Sequence, residues 1–148
     1  MIKSDNVLVQ RPAVYPFEAG KVHVSDGTYE ITAALNVDEQ VVALCILPPG
    51  CIPLDFAVIV DDLDGANPAL AWIGGGINTA QDDVDVIMIA SQTAVGQSAG
   101  MARATLFPMV APAIVETLFG IHIQTAAGTP QAGTIRGVLT YRAEEYGV

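Results

Sequence analysis

Residues 41–65 read VVALCILPPGCIPLDFAVIVDDLDG, and the order of residue types along this stretch decides the fold. The run Gln40 to Leu47 puts apolar side chains on both faces of an extended chain, the mark of a strand covered on each side. It ends at Pro48-Pro49-Gly50, where proline removes a ladder donor and glycine accepts turn geometry. Asp55 to Asp61, centred on Phe56, Val58 and Val60, makes the next strand, and Asp61-Asp62-Leu63-Asp64-Gly65-Ala66-Asn67-Pro68 is a dense run of turn formers. Nothing between the strands of this chain is both long and helical enough to make the crossover that a βαβ unit requires.

Upstream, Tyr29, Ile31, Ala33, Leu35 and Val37 alternate with Thr28, Glu30, Thr32, Ala34 and Asn36, the period of a half-buried strand. Lys21 to Val24 and the Ser25-Asp26-Gly27 turn supply it with a hairpin partner. Residues 1–20 hold Pro12, Pro16 and Gly20 without any period and read as an extended arm. Within it Val7, Leu8, Val9, Val14, Tyr15 and Phe17 are too apolar for a solvated tail, which makes them the candidate interface residues. Two placements of the arm stay open, on its own domain or on a neighbouring subunit.

Downstream, Ala69 to Ile73 and Val84 to Ile89 are short strands, and Ala90 to Ala104, rich in Ala, Ser, Gly and Gln, is assigned no regular element. Glu116 to Thr125 points Phe119, Ile121 and Ile123 one way. Thr134 to Arg142 points Ile135, Gly137, Leu139 and Tyr141 one way, and AAGTPQAG between these two strands reads as a hairpin loop. The expectation is an all-β chain, with an arm over residues 1–20 and, over 21–148, a single jelly-roll-like β-sandwich of about eight antiparallel strands.

The chain has 148 residues, enough for one domain with its own core. Hydrophobic residues make up 51% and charged residues 15%, against roughly a quarter charged in an average domain, so part of the surface is apolar or uncharged and suited to a protein partner. A net charge of −10 repels phosphate backbones and argues against nucleic acid. No stretch reaches the ~18 apolar residues of a membrane helix, and the N-terminal MIKSDNVLVQRP lacks the apolar core of a signal peptide, so the expected setting is the cytoplasm, away from membranes. Cys45 and Cys51, on either side of ILPPG, are expected there as free thiols.

Candidate chemical groups are few. Asp61, Asp62 and Asp64 with Asn67 offer oxygens to a hard cation, but the spacing departs from D-x-[DN]-x-[DN]-G and no Glu stands at the bidentate position; a turn whose short acids bond their own backbone is the better reading. Asp82, Asp83 and Asp85 read as a charged strand edge. His23 and His122 fall on separate strands, and the cysteines lack C-x₂-C spacing, so no metal and no cofactor is expected. Gly96-Gln97-Ser98-Ala99-Gly100 spells G-x-S-x-G without the strand-to-helix elbow that exposes such a serine. Gly74-Gly75-Gly76 lacks the lysine and helix start of a phosphate loop and reads as a flexible turn or bulge, and Trp72 reads as core. No catalytic residue is assigned, and the chain is not expected to be an enzyme.

Taken in order, residues 41–65, ALAWIGG at 69–75 and FGIHIQTAAGTPQAGTIRGVLTYRA at 119–143 resemble the small head proteins of tailed bacteriophages, many of them capsid cement or decoration proteins with a jelly-roll core. The resemblance spans roughly residues 38–142 and is one of strands and turns, with no catalytic residues to carry over. It implies a structural virion protein, synthesised in the host cytoplasm and placed on the capsid outer surface. It also implies a homo-oligomer, a trimer ahead of a dimer, that links neighbouring major capsid proteins, often through a terminal arm. The alternative within the same fold is a carbohydrate- or receptor-binding module of the virion, for which four Tyr, four Phe and one Trp make an aromatic platform scarce.

Overall fold

The computed structural model describes residues 1–4, 7, 21–33 and 38–143. Among them nine strands form: β1 (Ile2–Lys3), β2 (Val22–Ile31), β3 (Gln40–Leu47), β4 (Cys51–Val60), β5 (Ala71–Asn78), β6 (Asp83–Gln92), β7 (Gly100–Arg103), β8 (Thr117–Thr125) and β9 (Gly133–Ala143). They build two sheets, ordered β1-β3-β8-β5-β6 and β2-β9-β4-β7. Only the β1–β3 pair is parallel among these ladders. The pairs β2–β9, β3–β8, β4–β7 and β5–β6 are rungs of one long hairpin wound around itself, which is a jelly roll. The all-β sandwich expected from the sequence is the fold observed.

Period-2 alternation fills the space between the sheets. Leu44, Phe56, Val58, Trp72, Met88, Phe119, Ile121, Ile135, Leu139 and Tyr141 are buried there in one cluster. Phe56 and Phe119 meet edge to face across the two sheets with centroids 5.6 Å apart, a geometry that adds about 1 kcal/mol to the area they bury. A second buried cluster gathers Val7, Val41, Ala43, Ile46, Ile73, Ile77 and Val84. This explains why β3 is apolar on both faces. Val42 and Leu44 join the first cluster and Val41 and Ala43 the second, and after a register shift between Ala43 and Cys45 the alternation resumes with Cys45 and Leu47 in the first and Ile46 in the second.

Three local expectations are corrected, and one that left two readings open is decided. Ser25-Asp26-Gly27 is no turn: β2 runs unbroken through it and pairs with β9 along its whole length. Gly27 is there because the strand passes so close to β3 that a Cβ would collide with the Leu44 carbonyl oxygen, and Ser25 Oγ accepts from the Ile46 N–H at 3.0 Å. Of the two readings of Gly74-Gly75-Gly76, turn or bulge, the bulge is the one observed: the stretch is a bulged part of β5, with Gly75 at φ +153 pressed against the Val86 carbonyl. The stretch assigned no element contains β7, which pairs with Ala57–Val60 of β4. AAGTPQAG is no hairpin loop, because β8 and β9 belong to different sheets, each already flanked on both sides, β8 by β3 and β5 and β9 by β2 and β4.

Of the arm, Ile2 and Lys3 pair with Val42 and Ala43, Ser4 is buried with its hydroxyl on the Leu44 carbonyl at 2.9 Å, and Val7 is buried in the second cluster. Leu8, Val9, Val14, Tyr15 and Phe17 lie outside the described residues, as do Leu35 and Val37 of the expected strand.

Candidate binding surface

The winding of the jelly roll puts the connections 61–70, 93–99 and 126–132 at one end. There they are laced together. Leu63 N–H donates to Gly96 O at 2.8 Å, Gly65 N–H to Thr129 O at 2.8 Å and Gln131 N–H to Leu63 O at 3.0 Å. The acids of this end all work on backbone. Asp64, 2% exposed, accepts from Ala69 N–H at 2.7 Å and Leu70 N–H at 2.8 Å on Oδ2 and from Thr129 N–H at 3.1 Å on Oδ1. Burial pushes its carboxyl up, but the backbone donors of Thr129, Leu70, Ala69 and Gly128 outweigh that and hold it below the usual aspartate range. Asp62 Oδ1 accepts from Asp64 N–H at 3.3 Å and Asp61 Oδ2 from Thr134 N–H at 2.9 Å. The short acids therefore bond backbone, Asp62 and Asp64 within their own turn and Asp61 and Asp64 also across to Thr134 and Thr129. Among the described residues no group of three or more His, Cys, Asp or Glu is arranged to hold a metal ion.

The other sequence candidates are dispersed. His122 lies between two carboxylates, with Nδ1 2.6 Å from Asp83 Oδ1 and Nε2 2.9 Å from Glu39 Oε2. Its ladder neighbour on β5 is Ile73, whereas Asp83 pairs with Asn78, which on a straight strand would be roughly 16 Å away. The register shifts around Gly74 to Ile77 bend the β5–β6 hairpin until the two side chains meet. Both ring nitrogens are then occupied, so the imidazole is a latch, with none left for a metal or a substrate. His23 stands apart, stacked on Tyr141 at 6.0 Å. Cys45 and Cys51 are free and buried; desolvation, joined at Cys45 by the charge of Asp26, pushes both thiols up, the opposite of what a nucleophile needs. Ser98 sits in a turn between β6 and β7 with its N–H on Ala94 O at 3.1 Å, and Trp72 is core, donating its indole N–H to Val95 O at 2.8 Å.

What sequence reasoning missed lies at the opposite end. The connection from β7 to β8, residues 104–116, carries no charged residue between Arg103 and Glu116. Among the described residues five of the eleven large exposed hydrophobics fall here: Leu106, Phe107, Val110 at 91%, Ile114 at 94% and Val115. That density marks a surface built to be covered. The loop is held at both ends and near its middle. Thr105 and Leu106 N–H donate to Met88 O at 3.0 and 3.1 Å, and buried Ala113 donates to Cys51 O at 2.9 Å while accepting from Gly50 N–H at 2.7 Å. Met109 packs on the core and so turns its neighbours outward. The signal was available, since prolines at 108 and 112 inside an uncharged apolar run exclude a central strand while the absence of charge argues against a solvated loop.

No protein-family model matches the sequence, and no curated protein matches it. Solved structures do. A chain in the capsid of Ralstonia phage GP4 aligns with a TM-score of 0.79 at 25% identity, over 96% of this chain and 97% of that one. A chain in the cyanophage Pam1 capsid asymmetric unit gives 0.65 at 25% identity, over 91% and 95%. These likenesses support a phage capsid-associated protein. They extend over nearly the whole length of both chains, and they support a structural role in the virion. The same fold, at 10% identity and a TM-score of 0.60, occurs in the acid-stable capsid of Helicobacter pylori bacteriophage KHP30, over 86% of this chain and 92% of that one.

Proposed function

We propose that this chain is a capsid cement protein, a non-enzymatic homo-oligomer that attaches to the outside of a phage head and links neighbouring major capsid proteins. The observation that carries this reading is the anchored, uncharged apolar stretch 104–115 on a chain that aligns over nearly its whole length with chains of phage capsids. Support also comes from what the polar groups do. Asp64, His122 and both cysteines are engaged in or sealed by structure, which suits a protein that fastens and does not transform. A net charge of −10 suits the outside of the shell, away from packaged DNA. Residues 8–20, with Leu8, Val9, Val14, Tyr15 and Phe17, would be a second tie, and contacts repeated around the head would add avidity to modest individual affinity. The test is to add purified chain to heads that lack it. Co-sedimentation with the heads and a rise in their melting temperature are expected, and heads that neither bind the chain nor gain stability would overturn the reading.

A further inference from the structure

We propose that residues 106–115 are the docking element of this protein and that their partner is an apolar pocket with a basic rim on the shell protein, not a second copy of this chain. The proposal rests on the capsid reading above and supplies the chemistry of the contact.

Leu106, Phe107, Val110, Ile114 and Val115 together expose on the order of 600 Å², against roughly 800 Å² per partner in a standard interface, so the loop alone comes close to filling one. Pro108 and Pro112 fix φ at two positions and the Ala113 bonds to Gly50 and Cys51 pin the loop to the β3–β4 turn. Little ordering is left to be done on docking, which favours affinity.

Charge selects the partner. Six basic against sixteen acidic residues leave the chain at −10. Arg103 and Arg136 are already paired with Asp55 and Asp26, and Glu116 is exposed at the loop's margin. Two copies meeting on this loop would bring together two chains of net charge −10 with an exposed Glu116 at each margin, a repulsion that acts within the ~8 Å screening length at physiological salt. A basic rim converts the same field into attraction and faster encounter.

The test compares the full chain with its Val110→Ser/Ile114→Ser variant, using empty heads of the phage that carries it as the probe. The variant is expected to keep the wild-type melting temperature and sedimentation coefficient while binding heads about a hundredfold more weakly, roughly tenfold for each apolar side chain removed. Wild-type affinity is expected to fall as salt rises. Equal binding by variant and wild type would overturn the loop assignment and leave the capsid reading standing, whereas heads that ignore the wild type would overturn both. A variant that loses self-association would make a second copy the occupant and overturn the choice of partner. Affinity that does not fall with salt would overturn the basic rim.

Discussion

At one end of the sandwich the connections 61–70, 93–99 and 126–132 exchange backbone hydrogen bonds, and a carboxylate that is almost fully buried gathers the donors that remain. At the other, residues 104–116 turn Val110 and Ile114 almost entirely into water. Both are irregular connections in the same jelly roll, and each departs from the usual placement of residue types, with an acid inside at one end and large apolar side chains outside at the other. The buried acid is explained by what it touches. Asp64 replaces the water its neighbours' N–H groups would otherwise need. Among the described residues nothing covers Val110 or Ile114, and in the role proposed above a partner supplies their cover. The comparison separates residues that hold the fold from residues that use it.

The largest effect should come from the laced end. Asp64→Ala would leave the N–H groups of Ala69, Leu70 and Thr129, that of Leu70 buried, without their acceptor, and a loss of about 3 kcal/mol is expected in urea unfolding followed by tryptophan fluorescence. Asp64→Asn, which keeps the shape and one acceptor, should lose about 2 kcal/mol at neutral pH. Its dependence on pH sharpens the point. The carboxyl of Asp64 is held below its ordinary value in the folded state, so its contribution is complete above the unfolded value of 3.8 and fades as pH falls through the lower folded value. The gap between wild type and Asp64→Asn should therefore be constant from neutral pH down to about 5 and narrow below 4. A gap of constant width at pH 3 would mean that the charge of Asp64 matters little.

Long alternating segments were legible because period 2 needs no knowledge of partners. The faces of β8 and β9 and the double-sided burial of β3 follow directly from residue type. The turn role of Asp62 was legible too, since its bond to the Asp64 N–H is made within the connection itself. What stayed hidden depends on winding. Asp64 reaches Thr129 only because β4 and β9 are neighbours, and His122 reaches Asp83 only because the register shifts beside Gly74, Gly75 and Gly76 bend a hairpin. A glycine that permits close approach looks in sequence like one that permits a turn, which is why Gly27 misled. Strand β7, four residues at a sheet edge, offers too little pattern to find.

Between the two extremes stands the His122 latch. The side chains of Asp83 and Glu39 are 48% and 75% exposed, and solvent discounts their pull on the ring. His122→Ala should lower stability by about 1 kcal/mol, less than either change at Asp64, and its effect should diminish in about 0.5 M salt while theirs persists. An effect equal to that of Asp64→Ala would erase the distinction between a solvent-facing latch and a buried acceptor.

The smallest expected effect is the most informative about the exposed end. In Val110→Ser/Ile114→Ser the removed methyl groups are in water before and after folding, so their loss should change the free energy of unfolding by no more than about 0.5 kcal/mol, with an unchanged denaturant slope. The loop's fixed points, Ala113 on Gly50 and Cys51 and the N–H groups of Thr105 and Leu106 on Met88, are untouched by either substitution. A destabilisation of 2 kcal/mol would show that these side chains are covered by the chain itself. A null result would show that folding does not require them to be apolar, leaving association with another molecule to account for two of the most exposed large hydrophobics on the described surface.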